Sequence, residues 1–422
     1  MKCEIMTIGT ELLLGLINDS NAPYIARKLA EIGIISSKKS SAIDDVDVIS
    51  EQIKTAVKQN DILIITGGLG STHDDLTREA LAKALSKELV FQPKIAASIE
   101  QKVKCLERPV SGLIQKQAYL PEGSEPIMPA IGTAPGIRFE RNRKAIFALP
   151  GVFSEMKLML EEEVIPFLKN RLPKKRKIVL IRAIKTAGEG ELLIEERIKE
   201  IIDKYSNPSI SILPYPGEVH LQIVAEGYQN ETKALVARVE GELGESLGNL
   251  VYGYDEDTLE KVAGDLLKKH ELKISLVESC TGGMLSNRMT NTPGSSAYFW
   301  GGVVAYSNEI KRKLIGVSGQ DLLKHGAVSA QVALAMAEGG RHLMQTDVSL
   351  SVTGIAGPTG ETEGKPVGLV FIGLAWREGS FCERFQFFGT REEIKTKASQ
   401  AALNLLRLFL LDTFEKTGSE VS

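Results

Sequence analysis

At 422 residues the chain is too long for one hydrophobic core, and two or three domains are expected. Its 43% hydrophobic and 25% charged residues are ordinary for a globular protein, and a net charge of -3 supplies no basic field of the kind that coats nucleic acid. Four scattered cysteines without a CxxC argue against a disulfide frame or zinc site, and no apolar run reaches the roughly 18 residues of a membrane span.

In chain order, residues 4–9 read as a buried strand with Glu11 at its exit. The early apolar stretch is too short and too charged for a signal peptide, so the cytoplasm is the expected compartment. Residues 21–32 read as a helix with Ile25, Leu29 and Ile32 on one face, stopped by Gly33. A second helix is expected over 46–57, a buried strand over 61–66, and a helix over 72–85 opened by Asp74, Asp75 and Thr77. Strand–helix alternation with short joints implies βαβ units. Residues 118–151 are punctuated by Pro and Gly and read as loops and short strands, including 145–149, before a helix over 153–167. The run Lys174-Lys175-Arg176-Lys177 reads as a solvated linker rather than a binding patch.

Strands over 178–184 and 219–225 with helices over 191–205 and 232–243 make a small α+β module. Its Gly241-Glu242-Leu243-Gly244 fits the GxxG of an RNA-clamping loop, but it reads better as a helix C-cap because no basic residues flank it. Beyond it come an amphipathic helix over Leu259–Lys269, strands over 274–277, 302–306, 349–353 and 367–376, a helix over 331–344 capped by Ser329, and a closing helix over Arg391–Leu410.

The strand over 274–277 runs into Glu278-Ser279-Cys280-Thr281-Gly282-Gly283 and then a helical pattern. Strand, glycine-rich turn and helix start make a pocket for a polar or anionic small molecule, with the amides around Thr281, Gly282 and Gly283 free to hold an oxyanion or phosphate. Tyr306-Ser307-Asn308 closes the next strand with Lys311 one turn on, and Thr353, Gly354, Ala356 and Gly357 lie in the turn after another. In a parallel sheet the three strand ends converge on one edge. Serine needs a base, yet none of His270, His325 and His342 lies in these turns and there is no G-x-S-x-G elbow. Lys311 serves if burial makes it neutral, and a Ser–Lys pair attacks an amide or ester carbonyl. On spacing alone Ser279 also reads as a helix N-cap, Lys311 as a surface lysine, and Cys280 as either a nucleophile or a small buried thiol.

The upstream glycine turn, Gly67-Gly68-Leu69-Gly70-Ser71-Thr72, lacks the Gly-Lys-Ser/Thr of a Walker sequence. Its amides can cradle a phosphate, and Asp74, Asp75 and Glu11 can hold a divalent cation that activates water against a phosphoanhydride. The same acids also read as ordinary helix-start residues, and Thr133 with Ala134, Pro135 and Gly136 as a pocket wall or only a turn.

These residues carry a resemblance along nearly the whole chain. IGTELLLG (8–15), TGGLGSTHDDLT (66–77), KQAYLPEG (116–123), GTAPG (132–136) and LPGVFSEM (149–156) resemble the first domain of bacterial CinA proteins. VESCTGG (277–283), GSSAYFWGGVVAYSNEIK (294–311), HGAVS (325–329), VTGIAGPTG (352–360) and KPVG (365–368) resemble their nicotinamide-nucleotide amidohydrolase domain. The resemblance implies an α/β protein of three domains: a molybdopterin-binding-like domain over 1–172, a KH-like α+β module over 173–254, and an α/β amidohydrolase domain over 255–418. It implies deamidation of nicotinamide mononucleotide by Ser279 and Lys311 with Tyr306. Glu278, Thr281, Gly282, Gly283, Asn308, Thr353, Gly354, Ala356 and Gly357 would bind the substrate, and no cofactor is needed there. It further implies ADP-ribose cleavage at Glu11, Gly67, Gly68, Gly70, Asp74, Asp75, Thr77 and Thr133, with a divalent metal on Glu11, Asp74 and Asp75. A homodimer is expected, without membrane or nucleic-acid partners. The first domain departs from the family at Ser71 and Phe153, where Pro is usual, and at Pro129-Ala130, where Asn-Pro is usual. The alternative reading is a non-catalytic protein of the competence system that binds a nucleotide or a molybdopterin-like ligand.

Overall fold

The structure, a computed structural model, describes residues 1–105 and 115–415. The expected domain end at 418 lies outside them. Contacts divide the chain into one unit of Met1–Ile181 with Ala225–Leu235, and a second of Arg182–Val224 with the described residues from 236 onward.

In the first unit a six-stranded sheet runs Ser36–Ala42, Cys3–Ile8, Ile62–Thr66, Lys144–Leu149, Gly136–Arg141, Glu125–Ile127. The first four strands are parallel and the last two antiparallel. Every residue of Cys3–Ile8 and Ile62–Thr66 is buried, because successive side chains enter opposite cores. Ile5, Ile62 and Ile64 pack with Ile25 and Leu29 on one face; Met6, Ile8, Leu63 and Ile65 pack with Ile49, Ile53 and Leu81 on the other. The edge strand Ser36–Ala42, SSKKSSA, was not expected, since it has no apolar alternation. Its serines satisfy buried polar groups instead: Ser37 donates to Cys3 O at 2.9 Å and Ser40 to the buried Glu4 carboxylate at 2.8 Å.

The helix expected over 72–85 begins only at Thr77 and ends at Leu85. The Asp75 carboxylate accepts from the amides of Gly70 at 2.7 Å and Thr72 at 2.8 Å, closing a loop ahead of the helix. Asp74 and Asp75 are therefore loop residues, not first-turn acids.

In the small sheet the order is Ser209–Tyr215, Glu218–Tyr228, Lys177–Ala187, Val251–Tyr254. Gly241 and Gly244 lie inside the helix Gln229–Leu247, so the GxxG is neither an exposed loop nor a C-cap.

The last sheet runs Phe299–Val304, Ile274–Glu278, Val348–Gly354, Leu369–Ala375, Ser380–Gln386. Its first three strands are parallel, so their C-terminal ends share one edge. Ser329 caps the helix Ala330–Met344, and Thr390 with Glu393 forms a capping box for Arg391–Leu410. Among the described residues no helix is long and apolar enough to cross a membrane, and Cys3, Cys280 and Cys382 are free thiols.

Candidate active site

The middle of the three parallel strands, Ile274–Glu278, is buried throughout and delivers Ser279 to the shared sheet edge. The turn beyond it is folded around a carboxylate. Glu278 is 1% exposed and accepts from the amides of Gly283 at 3.0 Å, Leu285 at 3.0 Å and Ser286 at 2.8 Å, and from the Ser286 hydroxyl at 2.7 Å. It thus takes the orphan amides that open the helix Met284–Thr290. The turn needs positive φ at Gly282 (+64°) and Gly283 (+96°), which glycine adopts without strain. Ser279 is therefore not the N-cap. Its amide donates to Val352 O at 2.9 Å, and its hydroxyl faces a cavity.

Lys311 sits on the helix Asn308–Lys313, started by the Ser307 cap. It is 1% exposed, and Nζ lies 3.0 Å from Ser279 Oγ, 2.7 Å from Ala305 O and 3.1 Å from Tyr306 O. Burial lowers its pKa to about 8. A neutral amine has two hydrogens and one lone pair. The two carbonyls take the hydrogens, which leaves the lone pair to accept the Ser279 hydroxyl proton. Burial pushes the neighbouring Cys280 thiol up to about 12, so it stays protonated near neutral pH and is no rival nucleophile.

The cavity, about 260 Å³, is walled by Ser279, Lys311, Tyr306, Thr353, Gly357 and Arg391, with Gly354 and Ala356 beside them. Thr353 donates to Ala327 O at 2.8 Å, holding its strand end to the turn before Ser329. Five expected contacts fall outside this wall. Glu278 is consumed by the helix start, Thr281 is fully buried, and Asn308 is exposed at the head of its helix. The amide of Gly282 is bonded to Ser279 O and that of Gly283 to Glu278, so neither is free for an oxyanion.

Arg391 was missed by the sequence reading. Its guanidinium donates to Gly357 O and, at 3.3 Å, to the Tyr306 hydroxyl. The available signal was a cation in the first turn of a helix, where the dipole opposes it.

The first unit has its own cavity of about 370 Å³, on which Glu11, Gly67, Gly68, Gly70, Asp74, Asp75 and Thr133 all border. Thr77 stands behind it, donating to Gly67 O at 2.8 Å. The buried Arg78 donates to the carbonyls of Leu69 and Gly70 and so shapes the loop. Glu155, Asp44 and Gln117, which were not expected, complete the wall, and burial raises the Glu155 pKa. The expected metal set does not fit: among the described residues no three His, Cys, Asp or Glu side chains group as an ion requires. Asp75 is bonded to Gly70, Thr72 N and the Thr72 hydroxyl, which also donates to Asp74.

Comparison with known proteins places three families along the chain. Residues 4–170 match the "Probable molybdopterin binding domain", 181–253 the "Damage-inducible protein CinA KH domain", and 256–410 the "CinA C-terminal domain". A competence-damage inducible protein of Caldicellulosiruptor bescii is 42% identical over 413 residues, 98% of this chain and all of that protein. A CinA-like protein of Kosmotoga olearia is 41% identical over 412 residues, 97% of this chain and 99% of its own.

Proposed function

This chain belongs to the CinA family, and from that premise we propose that it is a pyridine-nucleotide hydrolase whose C-terminal site deamidates nicotinamide mononucleotide. The observation that carries the reading is the 3.0 Å approach of Lys311 Nζ to Ser279 Oγ inside a small cavity. Lys311 accepts the hydroxyl proton as Oγ attacks the carboxamide carbon, which the cationic ring makes electron-poor. Lys311 then returns the proton to the departing nitrogen and ammonia leaves. A water, deprotonated by the same amine, attacks the resulting ester, and the amine returns that proton to Ser279 Oγ as the nicotinate nucleotide leaves. With the Gly282 and Gly283 amides engaged, the oxyanion has to take its donors from the remaining wall, which Cys280, Ala356 and Gly357 also line.

Arg391 is the cation for the substrate's phosphate. Ammonia release from nicotinamide mononucleotide by the purified full-length protein tests the assignment; no release, with the protein folded, overturns it. Arg391→Ala is expected to raise KM for the nucleotide about 10- to 100-fold, the range of a lost charged hydrogen bond, while the phosphate-free nucleoside is turned over as before. Equal losses on both would show that Arg391 does not read the phosphate.

The cavity of the first unit is the second part of the proposal: a site that hydrolyses the diphosphate of ADP-ribose. Its support is the loop Gly67-Gly68-Leu69-Gly70, which borders the cavity; the amides of Gly67 and Gly70 are taken by Leu149 O and Asp75, and those of Gly68 and Leu69 suit phosphate oxygens. No step is assigned to an ion, because the carboxylates do not converge on one. A diphosphate binds divalent cations by itself, so turnover of ADP-ribose is expected to stop in chelator while ammonia release continues. Loss of both together would show that the two sites are not independent.

A further inference from the structure

A second cavity in the second unit, about 1000 Å³, has no part in the chemistry above. It is at the upper end of the ~300–1000 Å³ range of small-ligand sites. One wall is the edge strand Ser380–Gln386 and the residue after it. Period-two alternation turns Phe381, Glu383, Phe385 and Phe387 to the same face. Phe385 and Phe387 lie nearly parallel, with centroids 5.6 Å apart and planes 9° from each other, and so form an offset stack on the cavity wall. Phe409 of the closing helix stands 6.4 Å from Phe381, centroid to centroid, and adds a second aromatic wall.

The charge around these rings is one-sided. Among the described residues, Glu189, Glu191, Glu218, Glu383 and Asp412 border the cavity, against one cation, Lys397. Glu189 is paired with Arg197, and Glu218 accepts from Gln400 and Tyr252, with His220 Nε2 3.2 Å away. Glu191 and Glu383 enter no salt bridge among the described residues. Lys397 is turned to Phe388 O at 2.7 Å. The carboxylates bordering the cavity disfavour a ligand that carries phosphate. The negative faces of the rings attract a cation within about 6 Å, and a planar one extends a parallel stack.

We propose that the cavity between the Phe385–Phe387 stack and Phe409 is a binding site for a planar aromatic cation without phosphate, the class of N-substituted pyridinium and quinolinium rings. The rings take the face of the ligand by stacking and cation–π attraction, and Glu383 balances its charge.

The full-length protein titrated with 1-methylquinolinium, followed by the fluorescence of that ring, tests this. Saturable binding is expected, at least about fivefold tighter than that of uncharged quinoline at pH 8. Phe385→Ala should weaken it about tenfold. Glu383→Gln, on an exposed side chain whose replacement does not threaten folding, should weaken it about threefold. Ser279→Ala, in the other cavity, should leave it unchanged. Quinoline binding as tightly as the cation, or affinity unmoved in both Phe385→Ala and Glu383→Gln, would overturn the proposal. So would loss of binding in Ser279→Ala, because the probe would then sit at the hydrolytic site.

Discussion

Replacing Ser279 with alanine is expected to lower ammonia release from nicotinamide mononucleotide by about 10⁴-fold or more, the scale on which nucleophile removal acts in comparable hydrolases. The fold should persist. The Ser279 amide still bonds Val352 O, Glu278 still anchors the helix start, and Lys311 keeps both of its carbonyl partners. The deleted atom makes one hydrogen bond, to Lys311, so the stability change should stay within about 1–2 kcal/mol. Ammonia assay and thermal melting of the same preparation check the two halves of the expectation. An active, well-folded Ser279→Ala protein would take the hydroxyl out of the mechanism.

Lys311 gives the second large effect. Arginine cannot accept the proton because guanidinium remains charged, so Lys311→Arg should be inactive. A bulkier group in a site 1% exposed also threatens packing, and Lys311→Met is the cleaner variant: similar length, no base. About a 10³-fold loss is expected, within the range for removal of a positioned general base. The pH profile supplies an independent readout. The amine must be neutral to act, and burial holds its pKa at about 8. The parental rate should therefore climb as pH rises through that value and fall away below it, while the residual rate of Lys311→Met lacks this limb. A parental rate flat across that region would remove Lys311 as the base. Stability follows the same sign. A lysine whose pKa is depressed on folding opposes folding while it is protonated, so the folded state gains stability as pH rises above about 8. Methionine removes that dependence.

What could be read beforehand follows from how local each cause is. The strand into Ser279, the glycine turn and the helix holding Lys311 are written in contiguous residues, and parallel pairing then puts their ends together. The role of Glu278 was misread although its partners lie five to eight residues away; a buried strand-end acid before Gly282 and Gly283 can serve its own helix rather than a ligand. Asp74 and Asp75 share a wall with Glu11, but Thr72 and Gly70 compete for their oxygens, a local claim that acid spacing alone does not reveal. The strand Ser36–Ala42 shows no apolar period, since serine hydrogen bonds hold it to the sheet. Arg391 reaches the cavity from a helix that begins 80 residues beyond Lys311, a proximity that only the folded chain creates.

The clasp of Glu278 on three amides of the following turn has a kinetic meaning. It makes strand end, serine and helix a single rigid piece, with the attacking oxygen aimed before any substrate arrives. The orientational freedom of that oxygen is surrendered once, as the chain folds, and not again at each turnover.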